Sequence, residues 1–218
     1  MKQLLVSGAL LLAAMQVNAV EKKVFRISTE QTDLILQVGD NGRLYQTYLG
    51  EKLLNDADIQ NFAWDVHAGS DGSISQRGWE VYSGSGNEDY FEPAIAIIHN
   101  DGHNSTYLYY VSSATQPVEG GVHTTINLRD DQYPVDVTLH YIAYQKENVI
   151  KTWSEIKHQE KRPVTLNTYA STMLYFNCPS YYLTEFSGDW AKEVQMSTQK
   201  LEFGKKVVDT KLGSRAAM

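Results

Sequence analysis

Hydrophobic and polar residues alternate with a period of two along much of the chain, most clearly over residues 134–156. Val135, Val137, Leu139 and Tyr141 fall on one side, with Asp136, Thr138 and His140 on the other. This is the pattern of a strand with one dry and one wet face. Gln145, Lys146, Glu147 and Asn148 interrupt it with four polar residues. A second run then sets Ile150, Thr152, Ser154 and Ile156 against Val149, Lys151, Trp153 and Glu155. Two alternating runs with a short polar link predict a β-hairpin. A lone hairpin is marginal in water, so this one requires more sheet or a second layer on its apolar face.

The rest of the chain supplies similar segments. Strands are expected at 24–28, 33–38 and 44–49, with turns at Gly39-Asp40-Asn41-Gly42 and Gly50-Glu51-Lys52, because Gly and Asn tolerate positive φ. Residues 55–78 mix Asp56, Asp58, Asp65 and Asp71 with Phe62, Trp64 and His67, and are expected to form a long surface loop. Short strands at 79–82 and 94–99 flank the turn cluster Ser83-Gly84-Ser85-Gly86-Asn87. Strands at 106–112 and 118–128 follow, the second broken by a bulge or turn at Gly120-Gly121. Beyond the hairpin, 163–175 is expected as one long strand, followed by strands at 181–186, 191–201 and 205–210. No apolar stripe at i, i+3, i+4, i+7 with caps occurs outside the N-terminal segment. The expected fold class is therefore all-β: a large antiparallel β-sandwich, or supersandwich. It is expected to be incomplete at its C-terminal end, since residues 213–218 offer no closing strand.

Composition narrows the function. The 218 residues suffice for one large domain, or two small ones, with a full core. The formal charge of −7, without any basic run, disfavours a nucleic-acid role. Lys2, the apolar run 4–15 and Val17-Asn18-Ala19 before Val20 read as a secretory signal peptide over 1–19. The mature domain would then be 20–218, exported to the periplasm or the medium. No later segment approaches membrane-spanning length, so no span is expected in the mature chain. The single cysteine, Cys178, excludes an intrachain disulfide. Its apolar setting predicts a buried or half-buried thiol.

Candidate chemistry is sparse. Glu88, Asp89 and Glu92 are acids in a turn, and glycoside hydrolysis needs paired carboxylates at a defined separation, but closeness in sequence does not supply that geometry. His99 and His103 are four apart across a turn rather than on a helix, which is not a zinc-binding face. Asp130-Asp131 reads as a polar strand end, and Asn104-Ser105-Thr106 fits the glycosylation triplet. No nucleophile elbow, phosphate-binding glycine loop or C-x-x-C motif is present, and no cofactor or metal is expected. Trp64, Trp79, Trp153 and Trp190 are aromatic faces on which a sugar could stack. On the residues alone, the chain is an exported β-sandwich without a self-contained active site.

Three ordered stretches carry a family resemblance. Gly86-Asn87-Glu88-Asp89-Tyr90-Phe91-Glu92-Pro93-Ala94 is the first. Leu139-His140-Tyr141-Ile142-Ala143-Tyr144 with Val149-Ile150-Lys151-Thr152-Trp153-Ser154 is the second, and Gly188-Asp189-Trp190-Ala191-Lys192-Glu193 the third. In this order they resemble the N-terminal β-sandwich domain of family 36 glycoside hydrolases, the α-galactosidase family, from about Val24 onward. Lys192 stands where the family signature has Arg. The resemblance implies a parent enzyme that cleaves terminal α-galactosides with retention, using an Asp nucleophile and an Asp acid/base on a following (β/α)8 barrel. No catalytic residue carries over to this chain, which is expected to be inactive alone. The implied partners are the catalytic barrel, a galactoside or other carbohydrate held there, and a second copy in a homo-oligomer. Trp64, Asp89, Trp190 and Glu193 are the candidates for carbohydrate or domain-interface contacts. A stand-alone carbohydrate-binding or structural module is the alternative.

Overall fold

A computed structural model describes residues 23–62, 79–86, 92–176, 178–189 and 191–209. The expected signal peptide lies outside them. The chain divides into two compact units, residues 1–175 and 176–218.

In the first unit, β1 (Val24–Ser28), β2 (Thr32–Val38), β3 (Leu44–Glu51) and β4 (Trp79–Glu80) form one antiparallel sheet in that order. A second sheet runs in the order β6 (Leu108–Val118), β7 (Gly121–Asp130), β8 (Val135–Tyr144) and β9 (Val149–His158). A separate ladder pairs β5 (Ile95–Ile98) with β10 (Thr165–Tyr169). The β8–β9 hairpin pairs as its alternation requires, with Val137 opposite Ile156 and Ala143 opposite Ile150. Every second residue of β8 from Val135 to Ala143 is buried.

Burial of the two inner faces against each other builds the core. Phe25, Ile27, Leu34, Leu36 and Leu44 come from the first sheet, and Ile126, Leu128, Val135, Val137, Leu139, Tyr141 and Ala143 from the second. Ile95 and Ile97 of β5 join the same cluster. Tyr82 closes it from the loop after β4: its hydroxyl donates to the Ala170 carbonyl at 2.7 Å and lies 3.2 Å from Ser154 Oγ on β9. The hairpin turn after β6 needs Gly120 in the left-handed region, at φ 74°.

Four local expectations are corrected. β3 continues to Glu51 instead of turning at Gly50, because Thr32 and Asp33 extend the ladder to Glu51 and Gly50. The expected loop after it contains a 3-10 helix, Asp56–Phe62. The expected long strand at 163–175 shrinks to Thr165–Tyr169. Farther along, the Gln46 side-chain amide donates to the Tyr175 carbonyl at 2.6 Å and accepts from the Tyr175 N–H at 3.1 Å. One side chain thus takes the place of a strand partner. In the second unit, β11 (Tyr182–Asp189) and β12 (Lys192–Lys200) form a two-stranded hairpin, and residues 205–209 are not a strand.

Ile126 is fully buried while Val111, at the β6 bulge, is about half exposed. Ile126→Ala should cost about 2–5 kcal/mol through lost transfer energy and an unfilled cavity. Val111→Ala should change stability by no more than about 0.5 kcal/mol. Urea unfolding of both variants checks this, and equal midpoints would remove Ile126 from the core.

Candidate functional site

Of the four singled-out residues, Trp64, Asp89 and Trp190 lie outside the described residues. Glu193 sits exposed on β12, where its carbonyl accepts a hydrogen bond from Gln195 Nε2 at 3.2 Å. Among the described residues no other singled-out side chain converges on it. Cys178 is exposed, against the expectation of a buried thiol. Among the described residues no three His, Cys, Asp or Glu side chains are placed to hold a metal ion.

The buried acids are tied into structure. Asp33 accepts from Arg26 Nη2 at 2.7 Å, from the Leu53 N–H at 2.8 Å and from Ser28 Oγ. Burial alone would raise its pKa, but these donors and the Arg26 charge hold it below the usual carboxylate range. Glu80 pairs in two-pronged fashion with Arg43. Asp130 accepts the backbone N–H groups of Tyr107, Gln132 and Tyr133 at 2.6–2.9 Å. It is a turn cap rather than a calcium ligand.

His99 and Glu160 form a buried polar contact at the β5 end. His99 Nδ1 lies 2.8 Å from Glu160 Oε1, and both side chains are almost wholly excluded from solvent. Glu160 also accepts the Asn100 N–H at 3.0 Å. Tyr133 stacks on His99 with ring centres 3.6 Å apart, while its hydroxyl donates to Asp101 at 3.0 Å. Burial pushes the Glu160 carboxyl up, yet the hydrogen bonds from His99 and Asn100, with the His99 charge, bring it below its ordinary value. Exposed His103 takes no ligand role here. The cluster locks the 99–104 turn.

Two surfaces remain with chemistry unspent. On the outer face of the β6–β9 sheet, Trp153 lies flat against His140 at 4.4 Å between ring centres, with Lys151 Nζ 5.4 Å from its own. The ring is half-buried, and its stacking partner leaves it a poorer sugar platform than its alternation with charged residues suggested. In the second unit, Phe186 pairs directly with Met196, and Tyr182 stands four residues before Phe186 on the same face. All three are more than half exposed, giving the hairpin an open apolar face. A cleft of about 270 Å3 between β1 and the β6–β8 strands falls just short of the roughly 300–1,000 Å3 of small-molecule sites. No helix among the described residues is long and apolar enough to cross a membrane.

Comparison with known proteins decides the family. The family described as "Glycosyl hydrolase family 36 N-terminal domain" matches residues 42–218. The chain belongs to this family. It is 21% identical over 217 residues to α-galactosidase Mel36A of Lactobacillus acidophilus, covering 89% of this chain and 30% of that protein. To α-galactosidase 1 of Pediococcus pentosaceus it is 23% identical over 205 residues, covering 84% and 28%. Among solved structures, the family 36 α-galactosidase AgaA of Geobacillus stearothermophilus superposes with a TM-score of 0.75 at 22% identity, over 88% of this chain and 30% of that one. The galactosidase domain of the α-galactosidase–sucrose kinase AgaSK gives 0.72 at 24% identity, over 84% and 28%. The chain thus spans about 30% of the length of the relatives it matches. The solved structures share this chain's fold over the span they match.

For this family 36 domain, Glu160→Gln should cost about 1.5–3 kcal/mol near pH 7, the range for a hydrogen bond to a charged group. Because the folded carboxyl titrates below its unfolded value, its contribution is complete above the usual carboxylate range and lost as pH falls through the folded pKa. Urea unfolding at about pH 7 and about pH 3 should show the gap from wild type closing in acid. A gap that stays constant would show that the carboxylate is not the source.

Proposed function

We propose that this chain is the non-catalytic N-terminal sandwich portion of an exported α-galactosidase-like glycoside hydrolase. It serves as a platform for a catalytic domain and for oligomer contacts. The observation that carries this reading is the family 36 N-terminal match over residues 42–218, in a chain spanning about 30% of relatives named as α-galactosidases. The site chemistry agrees. Retaining hydrolysis requires two carboxyl groups roughly 5 Å apart across an open sugar site. The buried acids Asp33, Glu80, Asp130 and Glu160 are instead each consumed by an ion pair, a histidine or backbone N–H groups. On this reading the galactoside-cleaving aspartates belong to a barrel, and the residue pattern at 1–19 supports export.

The open apolar face of the β11–β12 hairpin supports the contact role. Two strands alone are marginal in water, and contiguous exposed apolar side chains mark interaction surfaces. A stand-alone sugar-binding module finds less support, since Trp153 is stacked on His140.

The purified chain should not hydrolyse an aryl α-galactoside, and measurable turnover would overturn the non-catalytic reading. It should self-associate in solution, with Phe186→Ser shifting light-scattering mass toward the monomer. A clean wild-type monomer would count against the contact role. Binding of galactose or raffinose that is lost on Trp153→Ala would revive the sugar-binding module.

A further inference from the structure

The outer face of the β6–β9 sheet holds a pair of histidines that the proposed function does not use. The ladder registers set its side chains in rows. Gln116, His123, Ile142 and Lys151 make one row, and Ala114, Thr125, His140 and Trp153 the next. Ser112, Asn127, Thr138 and Glu155 make the third. His123 and His140 therefore meet on a diagonal between neighbouring strands. His123 Nε2 lies 3.0 Å from His140 Nδ1, and the rings stack at 5.2 Å. His140 Nε2 faces Glu155 Oε1 at 3.4 Å, but no hydrogen bond forms there, and this buried nitrogen has no other partner among the described residues. The other face-forming contact of His140 is Trp153, whose ring is nearly parallel at 4.4 Å. The charged groups that face the pair are Glu155 and Lys151 on β9, while β6 presents uncharged Gln116 and Ala114.

This arrangement fixes where protons sit. The Glu155 carboxylate favours an N–H on His140 Nε2, which leaves His140 Nδ1 as a lone-pair acceptor. His123 Nε2–H must then be the donor across the 3.0 Å contact. Adding a proton to His140 Nδ1 places two N–H groups against each other, unless His123 shifts its own hydrogen to Nδ1. At the same time it turns His140 into an imidazolium lying on the Trp153 face, which a ring quadrupole favours, and next to the Glu155 carboxylate.

We propose that the His123–His140–Trp153 stack is a proton-driven switch on the outer sheet face. Above neutral pH His140 is bonded to His123. In mild acid it takes a proton, loses His123 as its donor and is held by Trp153 and Glu155. His123 keeps the contact only by moving its own hydrogen to Nδ1 and accepting, and otherwise turns to solvent; either way the face gains positive charge. Burial in this stack holds the His140 pKa below its ordinary value, with the Glu155 carboxylate acting in the opposite sense and His123 lowering it further.

The test is an NMR titration of the histidine ring signals in the full chain, with the two variants His123→Gln and Glu155→Gln. His140 should titrate below pH 6.5 in wild type, the ordinary value of a histidine side chain. It should move up when His123 is replaced and down when Glu155 is replaced. Trp153 fluorescence should follow the same curve, because an imidazolium against an indole quenches it. Glu155 is an exposed partner, so its variant keeps the fold even if the His123 variant does not. A His140 that titrates at its ordinary value, or that is unmoved by Glu155→Gln, would overturn the switch.

Discussion

Burial of alternate side chains in β8 is the constraint on which the first unit depends. β8 is flanked by β7 and β9, and both ladders are unbroken. A slip of one residue would move Val135, Val137, Leu139, Tyr141 and Ala143 out of the core and drive Asp136, Thr138 and His140 into it. Each misplaced polar group would lose water without gaining a partner. The register is therefore held by the core rather than by the turn alone. The outer face is its consequence: His140 meets Trp153 and His123 because Leu139 and Tyr141 must point inward.

The same constraint explains where the acids went. Two sheets facing each other leave turns and strand ends whose backbone groups still need partners. Asp130 answers three backbone N–H groups at once, Asp33 holds the segment after β3 through the Leu53 N–H, and Glu160 closes the turn after β5. For Asp33 and Glu160 such donors hold the carboxyl below its ordinary value, which makes each a poor proton donor at neutral pH. An inventory of acids thus says little about catalysis until their partners are known.

Alternation and turn chemistry were legible in the sequence, because both are local. The β8–β9 hairpin, the opening meander and the glycine turns at Gly42 and Gly120 follow from neighbours a few residues apart. The segment 163–175 was misread because its apolar content suits a strand, whereas Tyr175 is satisfied by Gln46 from far earlier in the chain. The His123–His140 contact was invisible for a related reason. It requires the β7–β8 register, although Trp153 opposite His140 could have been read once the hairpin was fixed. Of the site residues, only Glu193 falls among those described, exposed on β12. The family was legible where single motifs were weak, because their order along the chain carries information that no one motif does.

The edges of the structure bear on what kind of body it suits. All five residues of β10 are exposed, and none of Thr165, Leu166, Asn167, Thr168 and Tyr169 carries a charge. Natural edge strands usually carry lysine, proline or a bulge against stray pairing, and here only the register shift near Asn167 serves that purpose. The β11–β12 hairpin adds Tyr182, Phe186 and Met196 on one open face. For a protein acting alone, such surfaces are a liability in solution. For a platform within a larger assembly, they are the places where neighbours add strands and cover apolar side chains. The chain's own surface thus supports the contact role proposed above, for a physical reason independent of the family match.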